Sequence, residues 1–409
     1  MKLFHLADLH LGKCIHGYSM IEMGDQPHYI EQLLKKAEEL KPDGILIVGD
    51  VYDRAIPSKD AVKLFDDFLT RIAQLKIPVF IVAGNHDSGS RLAFADQLLM
   101  YQGIYIAGEV KKEIMKVTLY DSYGPVHIWM VPYLFPAAVN MILDREDLKD
   151  YHSAMKALLE EQMISEKERN VILSHQFVVS GGEKPLMGGS ETTVGGIGQI
   201  DAAVFDKFDY VALGHIHNAQ RMGKECVRYA GSPLYYHFSE SGQAKGLTVV
   251  TLGEKGKLEI TVEEMPILHK MQELCGTMEE LLQSKVEKNC YIRAVIKQEV
   301  LPPQAVETLR AYFESKNCIL MEVVRDCSYK KRRLDEKESK DVRGRSLEEL
   351  FEEFYCYQYD GELPAEHEQK LISFVAEQTR NNRDETEKEH KNAVSQLIEF
   401  AANCEMTEE

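Results

Sequence analysis

The chain has 409 residues, 44% hydrophobic and 28% charged, enough for a large core with one or two smaller modules and too apolar for disorder throughout. No apolar run approaches the roughly 20 residues that span a bilayer, and Asp8 and His10 interrupt the first apolar stretch, so the expected setting is cytoplasmic with no membrane contact. The net charge of −18 weighs against a nucleic-acid partner, but residues 346–409 hold 17 acidic and 5 basic side chains, leaving only −6 over residues 1–345.

A bound metal would shift that balance further toward positive. The 8 cysteines stand singly, with no C-x-x-C pair, and read as reduced thiols rather than a disulfide frame or a zinc knuckle.

From Met1 to about residue 265, short apolar runs alternate with helical patterns, the mark of a layered α/β domain. A strand over Lys2–Ala7 runs into Asp8-Leu9-His10, and a helix follows over Tyr29–Leu40. The next strand, Gly44–Val48, runs into Gly49-Asp50-Val51-Tyr52-Asp53, followed by a helical pattern over Lys59–Leu75. Val79–Ala83 leads to Gly84-Asn85-His86-Asp87, and helical spacing continues over Leu92–Tyr101. Core packing is expected for Phe65, Phe68, Phe94 and Leu98 on these helices.

Further on, Val171–Ser174 ends at His175-Gln176, a glycine-rich loop spans Gly181–Gly198, and Tyr210–Leu213 ends at Gly214-His215-Ile216-His217. Beyond residue 265 the pattern changes to a strand at Tyr291–Ile296, a helix at Gln304–Ser315 and a strand at Ile319–Arg325. A charged run follows from Lys330 to Arg345, in which Lys330, Lys331, Arg332 and Arg333 read as a solvated linker. The tail then offers helical faces, the first capped by Ser346 and carrying Leu347, Leu350, Phe351 and Phe354.

Any one of the strand-end motifs is weak evidence, since a lone histidine after a strand is usually structural. Five of them, each at the carboxyl end of a strand, place their residues where loops of an α/β sheet converge on one crevice. The set mixes carboxylates, imidazoles and one amide without a thiolate, which suits Mn²⁺, Fe²⁺ or Mg²⁺ better than structural zinc. Donors from five strand ends exceed one tetrahedral ion and fit two ions about 3.5–4 Å apart that clamp a phosphoryl group.

These motifs, together with Leu11-Gly12-Lys13 and Ala230-Gly231-Ser232-Pro233, resemble the calcineurin-like metallophosphoesterases, and in wording the SbcD branch, bacterial relatives of the Mre nucleases. The resemblance is strong over roughly residues 1–250 and one of layout beyond. It implies a layered α/β/β/α core over 1–265, a small α+β DNA-capping domain over 266–329, a charged linker over 330–345 and a helical tail over 346–409 that docks an SbcC-type coiled-coil ATPase. It further implies a homodimer, DNA ends and hairpins as substrates, and two divalent ions, Mn²⁺ ahead of Mg²⁺.

Carried over residue by residue, Asp8, His10 and His217 would hold one ion, Asn85, His175 and His215 the other, and Asp50 would bridge. Hydrolysis would proceed in line without a covalent intermediate, with His86 assisting the leaving oxygen or the phosphate. Many archaeal and eukaryotic relatives have a histidine where this chain has Asp53, which is read as an outer support that orients the site. Asp87 has a similar reading beside plain loop capping. Arg91 reads as a surface salt bridge ahead of a phosphate contact, Gly231-Ser232-Pro233 as a turn outside the site, and His5 and His127 as structural.

The leading function is therefore a metal-dependent DNA exonuclease and endonuclease in repair, recombination and replication. The alternatives are hydrolysis of a non-DNA phosphoester on the same site, or a non-catalytic scaffold that tethers an ATPase to DNA.

Overall fold

A computed structural model describes residues 1–187, 198–298 and 302–326. The charged run and the helical tail lie outside the described residues, as does most of the glycine-rich loop.

Among the described residues, two six-stranded sheets form the core. The first takes its parallel strands from β1 (Lys2–Leu6), β2 (Gly44–Val48), β3 (Val79–Val82) and β4 (Ile104–Ala107), in that order. The second takes its parallel strands from β5 (Gly124–Val131), β6 (Arg169–His175), β7 (Tyr210–Gly214) and β8 (Lys224–Tyr229). Met115–Asp121 closes one edge of the second sheet, antiparallel to β5. The chain then returns to the first sheet as β9 (Gly246–Leu252), antiparallel to β1, with β10 (Leu258–Glu264) outside it.

Side-chain alternation along each strand explains the layering. Leu3, Leu46, Val48, Phe80 and Val82 meet Ile128, Met130, Val171, Leu173, Tyr210 and Ala212 in a core between the two sheets. Their neighbours Phe4, Ile45, Ile47, Val79 and Ile81 face the opposite way, into a second core with α1 (Asp25–Leu40) and α2 (Lys59–Gln74). Trp129, Ile172, Val211 and Leu213 likewise turn outward, toward α3 (Pro136–Leu143) and α4 (Tyr151–Glu160). The result is the α/β/β/α order of layers, with parallel strands buried on both faces.

The helices form where the pattern allows. Ser58 accepts the Ala61 N–H at 3.2 Å and so caps α2, which buries Ala61, Phe65, Phe68 and Ile72 at helical spacing. Leu92–Tyr101 is not one helix. Ala95 takes a φ of 60°, a left-handed conformation that ends one short turn and starts another. Phe94 and Leu98 are consequently 81% and 71% exposed, so the core packing expected for Phe65 and Phe68 does not extend to them.

Three parallel strands, β11 (Lys270–Gly276), β12 (Cys290–Ile296) and β13 (Ile319–Arg325), form a separate sheet with α5 (Ala305–Glu314) on one face. Ile292, Ala294, Ile296, Leu309 and Phe313 make its core. Its other face reaches the α1 layer, where Tyr291 and His269 both bond Asp25. No helix among the described residues is long and apolar enough to cross a membrane.

Candidate metal centre

The carboxyl ends of β1, β2 and β3 meet those of β6 and β7 at one end of the two packed sheets. Asp8 and His10 leave β1, and their backbone N–H groups bond the carbonyls of Gly49 and Asp50 at 3.1 and 2.9 Å, locking the first two loops together. Asp8, His10, Asp50 and His215 all have positive φ, from 43° to 97°. Strained backbone of this kind costs of order 1 kcal/mol or more per residue and is held by the structure around it, a common property of functional sites.

Two glycines permit the approach. A Cβ on Gly84 would fall 2.1 Å from Asp50 Oδ1, and one on Gly214 would fall 1.9 Å from the Val48 carbonyl oxygen and 2.6 Å from His175 Nδ1. The glycine before Asn85 and the glycine before His215 are therefore parts of the site.

All seven expected donors gather here. Asp8, His10 and His217 present ligand atoms within 4.8 Å of one another, as do Asp8, Asp50 and His175. Asp50 also groups with His10 and His86. His10 Nε2 and His217 Nε2 lie 3.1 Å apart, Asp50 Oδ2 is 3.3 Å from His175 Nε2 and 3.7 Å from His10 Nε2, and Asn85 Oδ1 is 3.1 Å from His175 Nε2 and 2.9 Å from His215 Nδ1. Asp8, His10, Asp50, His175 and His217 are buried, while Asn85 and His86 are exposed at the mouth.

Charge in the pocket follows from burial and neighbours. Burial pushes the Asp8 carboxyl up to about 6, against the pull of His175 and His217. Burial acts the same way on Asp50, but the charge of His175, its hydrogen bond and His10 overcome it and hold that carboxyl well below the usual range. His175 sits between the two acids, and although burial opposes its charge, Asp50 and Asp8 raise it to about 9. Burial lowers His10 and His215. The pocket thus draws positive charge to the Asp8–Asp50 pair, which a divalent ion would also satisfy.

The donor set fits that group. His175 Nδ1 donates to the Val48 carbonyl at 2.8 Å, turning Nε2 toward Asp50 and Asn85. His10 Nδ1 is buried with no hydrogen-bond partner, although Asp53 Oδ1 lies 3.6 Å away. These features suggest two divalent ions with oxygen and imidazole ligands.

The remaining expected residues are close by. His86 donates from Nδ1 to the Asp53 carbonyl at 3.0 Å, and its ring stands edge-on to His10 at 4.9 Å between centroids. Asp53 turns its carboxylate to Lys13 at 2.8 Å. Asp87 accepts from the N–H groups of Gly84, Val51 and Tyr52 at 2.9 to 3.1 Å, which joins the Asp50 and Asn85 loops. Arg91 is exposed and makes no ion pair among the described residues, so its reading as a salt bridge does not hold.

Sequence reasoning missed Gln26, which donates to the His10 carbonyl at 2.7 Å and accepts from the Gly12 N–H at 2.9 Å. It also missed Tyr236, whose hydroxyl donates to the Leu9 carbonyl and whose ring packs edge-on to His10 and His217. Ser232 is more than a turn residue, since its N–H bonds the His217 carbonyl at 3.1 Å. Glu240 accepts from His217 Nδ1 at 3.1 Å. Its side chain had no signal, being one of 66 acidic residues and beyond the last strand-end motif.

Residues 1–219, more than half of the chain, match the family described as calcineurin-like phosphoesterase. The chain belongs to the calcineurin-like phosphoesterases. Residues 267–359 match SbcD_C, described as the type 5 capsule protein repressor C-terminal domain, and the two domains together support an SbcD-type phosphoesterase. Among solved structures, a Thermus thermophilus protein is 14% identical, covers 64% of this chain and 98% of its own, and has a TM-score of 0.35. A dimetal phosphatase from Danio rerio is 12% identical, covers 64% of this phosphoesterase and 96% of its own chain, and has a TM-score of 0.37.

Proposed function

We propose that this phosphoesterase is a two-metal DNA nuclease, degrading duplex ends 3′ to 5′ and cutting single strands and hairpins, as the partner of an SbcC-type ATPase in repair, recombination and replication. The observation that carries the reading is the convergence of Asp8, His10, Asp50, Asn85, His175, His215 and His217 on one pocket, in a chain that also carries an SbcD_C domain. A compact phosphatase for small esters has no use for that second domain, which favours a polymeric substrate.

In this reading Asp8, His10 and His217 would hold one ion and Asn85, His175 and His215 the other, with Asp50 shared between them. Ions bound there supply Lewis acidity and positive charge at the phosphoryl group. Mn²⁺ is the expected metal, with Mg²⁺ second. His86 would give a proton to the leaving oxygen from Nε2–H of the doubly protonated ring and fall back to the neutral form, its Nδ1–H staying with the Asp53 carbonyl. Asp53 orients His10 and holds Lys13.

This reading assigns DNA capping to residues 266–329, the charged linker to 330–345 and ATPase docking to 346–409. Homodimer formation is assigned to the exposed Phe94, Leu98 and Tyr101. The deciding experiment incubates the full chain with end-labelled duplex, single-stranded and hairpin DNA and with bis-p-nitrophenyl phosphate, in Mn²⁺, Mg²⁺ or chelator. Metal-dependent shortening of the duplex is expected. Hydrolysis of the small ester with all DNA left intact overturns the nuclease reading, and full activity in chelator overturns the metal reading.

A further inference from the structure

The segment after Gly231 carries a buried polar cluster with no place in the chemistry above. Glu240 is fully buried; its Oε1 meets His217 Nδ1 at 3.1 Å, and its Oε2 meets Lys245 Nζ at 2.7 Å. Ser232 Oγ lies 3.3 Å from Glu240 Oε2 and 2.8 Å from Lys245 Nζ, and the Tyr236 N–H donates to the same carboxylate at 3.3 Å. Lys245 also donates to the His217 carbonyl at 3.2 Å. Both charged side chains are out of water, where an ion pair is seldom more stabilising than apolar residues of the same volume. Stability alone therefore does not account for a carboxylate here, whereas the ring it touches does.

A carboxylate has no proton to give at that contact, so His217 Nδ1 carries the hydrogen and Nε2 keeps its lone pair. That lone pair lies beside His10 Nε2 at 3.1 Å, inside the group formed with Asp8. We propose that Glu240, clamped by Lys245 and the Tyr236 N–H, is a positioning residue that fixes the tautomer and orientation of His217 and thereby builds one of the two metal positions. The metal half of this inference rests on the two-metal reading; the tautomer half does not.

Glu240→Gln supplies the test. Lys245 and the Tyr236 N–H still call for an acceptor, so the oxygen of the new amide stays with them and its NH₂ turns to His217 Nδ1. This forces the hydrogen onto Nε2, pointing into the pocket. Lys245→Met removes the same ion pair but leaves a carboxylate on Nδ1. A purely structural ion pair makes the two substitutions act alike, whereas a positioning residue separates them.

The measurement is a long-range ¹H–¹⁵N spectrum of histidine-labelled, metal-free full chain near pH 8, where free imidazole is neutral, with the His217 signals assigned from a His217→Gln variant. Mn²⁺ titration of the same proteins by calorimetry follows. The Nδ1–H tautomer is expected in the wild type and Lys245→Met, and the Nε2–H tautomer in Glu240→Gln. One of two Mn²⁺ sites should weaken by about 10- to 100-fold in Glu240→Gln, with the other within a few-fold.

A wild-type Nε2–H tautomer overturns the proposal without any variant, and so covers the case where Glu240→Gln does not fold. Equal effects of the two substitutions on tautomer and affinity overturn it too. Wild-type protein that binds no Mn²⁺ refutes the two-metal reading and the metal half of this inference, while the tautomer result stands by itself.

Discussion

Asp50 accepts the backbone N–H of His86 at 2.9 Å, so the carboxylate proposed to bridge two ions also fixes the turn that carries the proposed proton donor. Asp50→Ala should accordingly damage both. We expect it to abolish hydrolysis and remove both ions, since its carboxylate groups with His10 and His86 on one side and with Asp8 and His175 on the other. Elemental analysis after gel filtration checks this, and two Mn²⁺ per chain in the variant would contradict the assignment.

His86→Ala separates proton transfer from metal binding. The ring sits at the exposed mouth, tethered through Nδ1. Its loss should slow hydrolysis by roughly two to four orders of magnitude with metal content near wild type. Metal loss as severe as in Asp50→Ala would make His86 a ligand, a role its grouping with His10 and Asp50 allows geometrically.

Gly84→Ala tests the close approach directly. The added Cβ would lie 2.1 Å from Asp50 Oδ1 and 2.3 Å from Asp50 N, and backbone at that distance has no room to yield. A destabilisation of about 1–3 kcal/mol is expected, with loss of metal affinity. Urea unfolding with wild-type midpoint would show that the loop accommodates the methyl group.

The strands were the most legible part of the molecule. Gly44–Val48 and Ile319–Arg325 stand where the apolar runs placed them, and each chemical motif follows a strand because buried parallel strands read as unbroken aliphatic runs. The antiparallel pair Met115–Asp121 and Gly124–Val131 was not legible, since the outer strand is only partly buried and its residues alternate weakly. The break at Ala95 escaped for a different reason. Apolar spacing continues across it, and only the backbone shows the left-handed residue. Glu240 and Tyr236 reach the site through tertiary contacts from a segment with no local pattern, so no window of sequence could place them.

His5 gives a prediction about pH that is separate from the metal ligands. Its Nδ1 meets the Tyr210 hydroxyl at 2.8 Å, and burial pushes it down from 6.5 to about 3. The unfolded chain therefore takes up a proton between those values that the folded chain refuses. Stability from keeping His5 neutral is complete above about pH 6.5 and falls as pH drops toward 3. His5→Gln, which does not titrate, should be less stable than wild type at pH 7, with the gap narrowing at pH 4. A gap that is constant across that range, measured by urea unfolding, would show that His5 is not linked to acid sensitivity.

The last prediction concerns the surface that the broken helix exposes. Phe94, Leu98 and Tyr101 are 81%, 71% and 86% exposed, with Met100 at 42% beside them in sequence. Single exposed apolar residues are ordinary, but four from one short segment are what an interface between copies would cover. A second copy is the partner the resemblance implies, and a two-fold interface would bring the same residues of both copies together. Replacing Phe94 and Leu98 with lysine would then place like charges at the centre of that interface, which is costly wherever water is excluded. These positions contribute nothing to the folded core, so the double variant should keep its secondary structure and its hydrolysis of bis-p-nitrophenyl phosphate. Sedimentation should show a dimer for the wild type and a monomer for the variant, with weaker cleavage of duplex ends by the monomer. A wild-type monomer at tens of micromolar, or a variant that remains dimeric, would remove the patch from the interface.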